Sequence, residues 1–366
     1  MKNILIIDDS ALMRRVLTDA VNSDDRFKVT GVAKDGIEAL ELLSANQYDG
    51  ILLDINMPNM NGLEFLEFLG RRGKKEKVLI VSTDSVEGAD VTIRALELGA
   101  LDFIQKPSSS QEINKSAYRK ELIEHIVAIT SEMVDERTDK PPDMKISEME
   151  TSGRCAKETS KKITKKQAFV NSDEKCKRVV AIASSTGGPA VLREIIPSIS
   201  STLKAPIVIV QHMPKGFTRS FADRLNSTST IEVVEASDGQ LIKDGVCYIA
   251  EGGKHLKVNQ SAKDASIIYT DEPAREGVKP CANYMFESLA DSEYDEVLCI
   301  VLTGMGQDGM EGITNLSKKK RCHVIIQKPE SCTVYGMPRA VNRAGLVDEI
   351  LDIDEIADRI NELIGS

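Results

Sequence analysis

The sequence predicts an α/β protein made of two units, each built on a largely parallel sheet. Three observations carry this. Short β-branched runs alternate with helical periodicity from Asn3 to Gln105. A charged, proline-containing stretch then interrupts the alternation, which resumes at Val179 and continues towards the C-terminus. Strand–helix–strand repeats of this kind close as parallel sheets with helices on both faces, and 366 residues can bury two such cores.

In the first unit the strand-like runs are Asn3–Ile7, Lys28–Ala33, Gly50–Leu53, Val78–Val81 and Asp102–Gln105. Helical patterns fall near Ala11–Asn22, Ile37–Ala45, Gly62–Arg71 and Asp90–Leu98. Working residues of such sheets gather at the carboxyl ends of strands. Asp8 and Asp9 end the first strand, Asp54 the third, Ser82 the fourth, and Lys106 with Pro107 the fifth. Three clustered carboxylates repel unless a cation lies between them, and oxygen ligands suit Mg²⁺, which bridges to a phosphoryl group. Lys106 and the Ser82 hydroxyl supply a positive charge and a donor to that group's oxygens. Each residue alone reads equally as a solvated loop mouth; the full set at separate strand ends points to a site.

The stretches Ile7-Asp8-Asp9-Ser10, Leu53-Asp54-Ile55-Asn56-Met57-Pro58 with Gly62, Val81-Ser82 and Gln105-Lys106-Pro107 resemble the receiver domain of bacterial response regulators. The resemblance implies a flavodoxin-like fold with a parallel five-stranded sheet and helices on both sides. It also implies that Asp54 accepts a phosphoryl group from a histidine kinase, with Asp8, Asp9 and Asp54 around Mg²⁺. Phe103 stands where that family has an aromatic switch residue, and reads equally as a packed strand aromatic.

Helical periodicity continues from Gln111 to about Met133. From Asp135 to Lys177 the chain holds Pro141-Pro142, many charges and a single aromatic, Phe169, too little apolar surface to offset chain entropy. A mobile linker is expected there. Its cluster Lys161-Lys162 with Lys165-Lys166 reads as a solvated run or as a docking patch. The expected division is residues 1–122, a linker over 123–176, and a second unit over 177–366.

In the second unit strand patterns cover Val179–Ala183, Ile207–Val210, Ile231–Ala236, Cys247–Ala250, Leu256–Val258, Ser266–Tyr269, Val297–Leu302 and Cys322–Ile326. Helical patterns lie near Pro189–Ile196, Phe217–Leu225, Tyr284–Ala290, Met310–Lys318 and Ile353–Ile364. The section from 231 to 271, with turn signals Asp238-Gly239 and Gly252-Gly253, is expected as an antiparallel excursion on a mainly parallel sheet.

Ala183-Ser184-Ser185-Thr186-Gly187-Gly188-Pro189 puts a hydroxyl on a sharp strand-to-helix turn, beside backbone N–H groups that favour negative charge. A nucleophilic serine needs that exposure and a base; a phosphate-binding or plain connecting turn would look similar. Of the four histidines, only His212 directly follows a strand at its carboxyl end. Asp308 follows Val297–Leu302 within Thr303-Gly304-Met305-Gly306-Gln307-Asp308-Gly309 and can orient the imidazole. Backbone N–H groups of Thr186 and of the loop containing Met305 are candidate oxyanion donors. Gly304-x-Gly306-x-x-Gly309, with Glu330 beyond, also fits a dinucleotide fingerprint, although Asp308 would set a negative charge against pyrophosphate.

The chain order Ser, His, Asp resembles the chemotaxis protein-glutamate methylesterases of the CheB type. The matching stretches are Ser184-Ser185-Thr186-Gly187-Gly188, Gln211-His212-Met213-Pro214-Lys215-Gly216-Phe217, Gly253-Lys254-His255-Leu256, the Leu302–Gly309 segment and Val334-Tyr335-Gly336-Met337-Pro338. The resemblance implies an α/β methylesterase domain that hydrolyses γ-glutamyl methyl esters on chemoreceptors. It implies glutamine deamidation too, no cofactor for the esterase, and Ser185, His212 and Asp308 as nucleophile, base and orienting acid. The implied partners are a chemotaxis histidine kinase as phosphodonor and methyl-accepting receptors as substrate. It further implies that the unphosphorylated receiver covers the Ser185 cleft. Ala183-Ser184, Cys281-Ala282-Asn283 and Lys320-Arg321-Cys322 depart from the family's usual residues.

The net charge of −10 and the lack of a basic recognition helix argue against a nucleic-acid output. Seven cysteines at irregular spacing suggest neither a zinc site nor a disulfide framework. Asp8 and Asp9 cut short the apolar start, so no signal sequence or membrane insertion is expected and a cytoplasmic location is. A rival reading keeps the receiver and makes the second unit a non-catalytic receptor- or kinase-binding output.

Overall fold

The computed structural model describes residues 1–73, 76–82, 86–107, 116–130, 176–260 and 264–365. A strand covered by helices on both faces must be apolar on both, and in β1 (Lys2–Ile7) Ile4, Leu5, Ile6 and Ile7 are all fully buried. Around it lie β2 (Phe27–Ala33), β3 (Gly50–Leu53), β4 (Val78–Ser82) and β5 (Asp102–Gln105), parallel throughout in the order β2-β1-β3-β4-β5. The connecting helices are α1 (Ala11–Val21), α2 (Gly36–Ala45), α3 (Gly62–Arg71) and α4 (Val86–Glu97). The Ser10 hydroxyl caps α1 by accepting from the Met13 N–H, and Asn61 with Glu64 forms a capping box on α3.

Helix α5 (Ser116–Thr130) sends Leu122, Ile126 and Ile129 into the same core as Ile4, Ile6 and Ile104. These positions fall on one helical face. Residues 123–130, expected to open the linker, are therefore packed in the first unit. Residues 111–115 of the expected helix and 131–175 of the expected linker, with its lysine cluster, lie outside the described residues.

The second unit is a seven-stranded sheet, parallel in every pair, in the order β14-β13-β12-β6-β7-β9-β8. Its strands are β6 (Arg178–Ser184), β7 (Ile207–Gln211), β8 (Glu232–Glu235), β9 (Val246–Ile249), β12 (Glu296–Val301), β13 (Arg321–Gln327) and β14 (Glu349–Leu351). The antiparallel excursion is smaller than expected. Among the described residues β10 (His255–Gln260) and β11 (Ala265–Thr270) pair that way, with a single Leu241–Ser266 bridge beside them, while the chain between β8 and β9 crosses over and brings β9 back parallel. The helices are α6 (Gly188–Ile195), α7 (Phe217–Thr228), α8 (Ala282–Leu289), α9 (Met310–Leu316), α10 (Met337–Arg343) and α11 (Ile353–Ile364). Short α10 and β14 carried no sequence signal strong enough to be anticipated.

The two units meet through α4 and β5 of the first and α6 and α7 of the second, and one apolar cluster runs from one unit into the other. Phe103 stacks on Phe217 with ring centroids 4.6 Å apart. Arg224 grips Glu97 in a bidentate pair at 2.7 and 2.6 Å; a partly exposed pair of this kind contributes about 0–1 kcal/mol. Asp102, next to Phe103, accepts from the Thr186 hydroxyl at 2.5 Å and pairs with His125 Nδ1 at 3.0 Å.

Burial alone would lower the His125 pKa, but the charge and hydrogen bond of Asp102 outweigh it and raise the imidazole above its ordinary value. A raised pKa means that the stabilisation is complete below the ordinary value and is lost as pH rises through the raised one. His125→Gln is therefore expected to lower the melting temperature of the full chain more at pH 6 than at pH 9. Equal losses at both pH values in thermal melts would contradict a charged His125–Asp102 pair.

Candidate active site

The second sheet reverses its winding at β6, which is followed on one side by β7 and on the other by β12. Open α/β sheets bind ligands at the carboxyl side of such a reversal. Register brings three strand ends to one place. Ser184 pairs with Gln211, so Ser185 and His212 follow side by side, and Ala183 pairs with Val301. Backbone bonds fix the exits: Ser185 N–H to Thr303 O and His212 N–H to Ser184 O, both 3.0 Å.

The two adjacent serines have different surroundings. Ser184 is fully buried and donates to Gln211 Oε1 at 2.6 Å. Ser185 is half-buried, and its carbonyl accepts from Gln211 Nε2 at 3.0 Å. The turn needs glycine at two points. Gly187 has φ +79°, in the left-handed region. Gly304, just before Met305, lies so near the Ser185 turn that a Cβ there would come 2.8 Å from Ser185 Cβ. Thr186 and Met305 thus flank Ser185 from two loops.

His212 presents Nε2 to Asp308 Oδ2 at 2.8 Å, which leaves Nδ1 as its other ring nitrogen. Asp308 is almost fully buried and accepts further bonds from the N–H groups of Ala282 (2.6 Å), Asn283 (2.8 Å) and Gly309 (2.9 Å). Ala282 and Asn283 open α8, so the carboxylate also caps that helix. Burial favours the neutral acid, but bonds from His212, Cys281 and Ala282 outweigh it and hold Asp308 below the ordinary carboxylate range. The glycine-rich loop that matched a dinucleotide fingerprint is occupied by this carboxylate.

The other histidines have structural partners. His125 pairs with Asp102, His323 with Glu349 at 2.8 Å, and buried His255 with Pro273 O at 3.2 Å.

In the first unit Ile7 pairs with Leu53 and Ser82 with Gln105, which sets Asp8 beside Asp54 and Lys106 beside Ser82. Carboxylate oxygens of Asp8, Asp9 and Asp54 lie within 4.8 Å of one another, a hard oxygen donor set that fits Mg²⁺. Lys106 Nζ is 2.9 Å from both Asp8 and Asp54. Burial pushes the Asp54 carboxyl up despite Lys106. Burial opposes the charge on Lys106, but Asp54 and Asp8 outweigh it and raise its pKa. Ser82 Oγ accepts from the Thr92 hydroxyl at 2.6 Å. Phe103 is buried, as a strand aromatic would be, but against Phe217 of the other unit. Asp102, Cys281, Gln211 and Phe217 were not singled out for roles here by sequence reasoning. Of these, only the register position of Gln211, beside Ser184, could have signalled one.

A family model described as CheB methylesterase matches residues 180–360, and one described as response regulator receiver domain matches residues 4–118. A protein-glutamate methylesterase/protein-glutamine glutaminase of Pyrococcus horikoshii is 40% identical over 357 residues, covering 98% of this chain and 92% of that protein. The protein of the same description from Bacillus subtilis is 35% identical over 364 residues, covering 100% and 99%. The crystal structure of the Thermotoga maritima CheB methylesterase catalytic domain aligns with a TM-score of 0.50 at 38% identity, covering 51% of this chain and 99% of that one.

Ser185→Ala is expected to lower ester turnover by about 10⁴- to 10⁶-fold. Ser184→Ala leaves Gln211 Oε1 without its donor, and is expected to cost about 1–3 kcal/mol of stability while leaving turnover within a few-fold. Ester hydrolysis and thermal melts of both variants check this; the reverse order of activity losses would contradict it.

Proposed function

Because the chain belongs to the protein-glutamate methylesterase/protein-glutamine glutaminase family, we propose that it hydrolyses γ-glutamyl methyl esters, and deamidates glutamines, on chemoreceptors under the control of receiver phosphorylation. The observation that carries this reading is the His212–Asp308 bond at 2.8 Å beside Ser185, the three residues leaving adjacent strand ends. Ser185 Oγ attacks the ester carbonyl and passes its proton to His212 Nδ1. Backbone N–H groups of Thr186 and Met305 receive the oxyanion. Methanol, or ammonia from glutamine, leaves with that proton. Water then attacks the acyl-enzyme, gives a proton to His212 and releases the glutamate carboxylate with Ser185 restored. Asp308, held ionised by its donors, stabilises the imidazolium.

Asp54 is the proposed phosphoryl acceptor from a chemotaxis histidine kinase. Asp8, Asp9 and Asp54 would hold Mg²⁺, which when bound offsets charge on the phosphoryl oxygens. Lys106 and Ser82 would bind those oxygens. The proposed division is a receiver over residues 1–130, a linker over 131–176 and a catalytic unit over 177–366. Among the described residues no helix is long and apolar enough to cross a membrane; the proposed location is the cytoplasm.

The contacts between units support an account of control. Thr186, next to the nucleophile, donates to Asp102 of the receiver, and Phe103 stacks on Phe217 shortly after the His212 turn. Phosphorylation that draws Ser82 and Phe103 towards Asp54 would withdraw this ring and, with it, the adjoining Asp102. A coupling of about 1–3 kcal/mol changes the accessible fraction by about 5- to 150-fold.

Methanol release from methylated receptor tests the proposal. A fragment starting at Lys177 is expected to exceed the unphosphorylated full chain and to ignore a small phosphodonor. Asp54→Asn is expected to stay at the basal rate with phosphodonor, and Asp102→Ala to raise the basal rate. A fragment no faster than the unphosphorylated full chain would exclude control by covering. Absence of methanol release from every form would favour a purely binding output.

A further inference from the structure

Beside His212, the Asp308 carboxylate has one other side-chain donor among the described residues, the thiol of Cys281, with Sγ 3.0 Å from Oδ1. Both groups are shut off from solvent, Cys281 completely. Cys281 is the residue immediately before α8, and its own side chain does not cap that helix. Its thiol turns instead to the carboxylate that does. Oδ1 thus meets the Asn283 and Gly309 N–H groups and the thiol, while Oδ2 meets the Ala282 N–H and His212. A carboxylate offers about four lone-pair sites, and these five donors share them, so each bears on its orientation.

We propose that Cys281 is a positioning residue for ester hydrolysis: its S–H donates to Asp308 Oδ1 and keeps Oδ2 aimed at His212 Nε2. The inference rests on the reading of Ser185, His212 and Asp308 as the triad. Burial, and then the charge of Asp308, push the Cys281 thiol far above its ordinary range, so the sulfur keeps the proton that the bond requires. Glu276, tied to Asn283 Nδ2 at 2.9 Å, is a further titratable group that feels the charge of this carboxylate. The thiol makes a weak bond by its chemistry, but here it is made to a charged, desolvated acceptor, where hydrogen bonds count most.

Removing the donor leaves the carboxylate more basic and less constrained. Both effects act on the imidazolium formed in the transition state rather than on substrate binding. The test uses the full chain activated with phosphodonor. Cys281→Ala, which loses volume, and Cys281→Val, which gains it, both lack the donor. Each is expected to lower kcat about tenfold with KM little changed, and to move the acid limb of the pH–rate profile to higher pH. Cys281→Ser restores a donor and is expected to stay within about threefold of the parent, with its acid limb in place. Thermal melts accompany each variant. If one apolar variant fails to fold, the other carries the test. Rates that follow melting temperature instead of donor content, or a serine variant as slow as alanine, would overturn the proposal. Asp308→Asn and His212→Ala serve as references. If those two keep full activity the triad reading fails. If they lose activity while Cys281→Ala and Cys281→Val keep the parental kcat and pH profile, only the role of Cys281 fails.

Discussion

The proposed active centre of the second unit depends on the in-phase ending of β12, β6 and β7. Parallel strands in register deliver their next residues to one level, and here those residues begin the turns holding Ser185, His212 and the loop to Asp308. A shift of one residue in any of the three would turn alternate side chains to the wrong face. Apolar packing protects the register. Val179–Ala183, Ile207–Val210 and Val297–Val301 are fully buried, and each of their large side chains contributes about 1.5–3 kcal/mol on burial. The polar site therefore stands on an apolar base.

The same construction serves the receiver, where β1 and β3 end together at Asp8 and Asp54. What joins the two sites is β5. Its carboxyl end leads to Lys106, paired with Asp54, the proposed phosphoryl acceptor. Its first residues, Asp102 and Phe103, reach Thr186 and Phe217 of the catalytic unit. A four-residue strand thus spans the distance between the Lys106–Asp54 pair and the turn of Ser185. The proposed control would need no long pathway, because one short element touches both ends.

Much of this was legible because chemistry at strand ends follows from strand boundaries, which periodicity reveals. Asp8, Asp54, Ser82 and Lys106, and likewise Ser185 and His212, stand at the end of an apolar run or within two residues of it, while Asp308 lies in the glycine-rich loop that follows one. The extent of α5 was less legible, since Ile123, Ile126 and Ile129 read as helix without saying which core they enter. The direction of β9 was not legible at all. A strand of Val246–Ile249 looks the same whether its neighbour runs with it or against it.

The sequence by itself determined the α/β class, the two units and the residue types of both sites. These follow from local patterns: hydrophobic period, turn glycines, and polar residues where strands stop. Tertiary structure alone decided the rest. It chose Ser184 for a buried bond to Gln211 and left Ser185 partly exposed. It turned Nε2 of His212 to Asp308, and set the Cys281 thiol on that same carboxylate. It also brought Asp102 to Thr186 across 84 residues of chain. Each of these is a contact between side chains distant in sequence, set by how sheets and helices pack, and no local pattern encodes which partner a buried polar group will find.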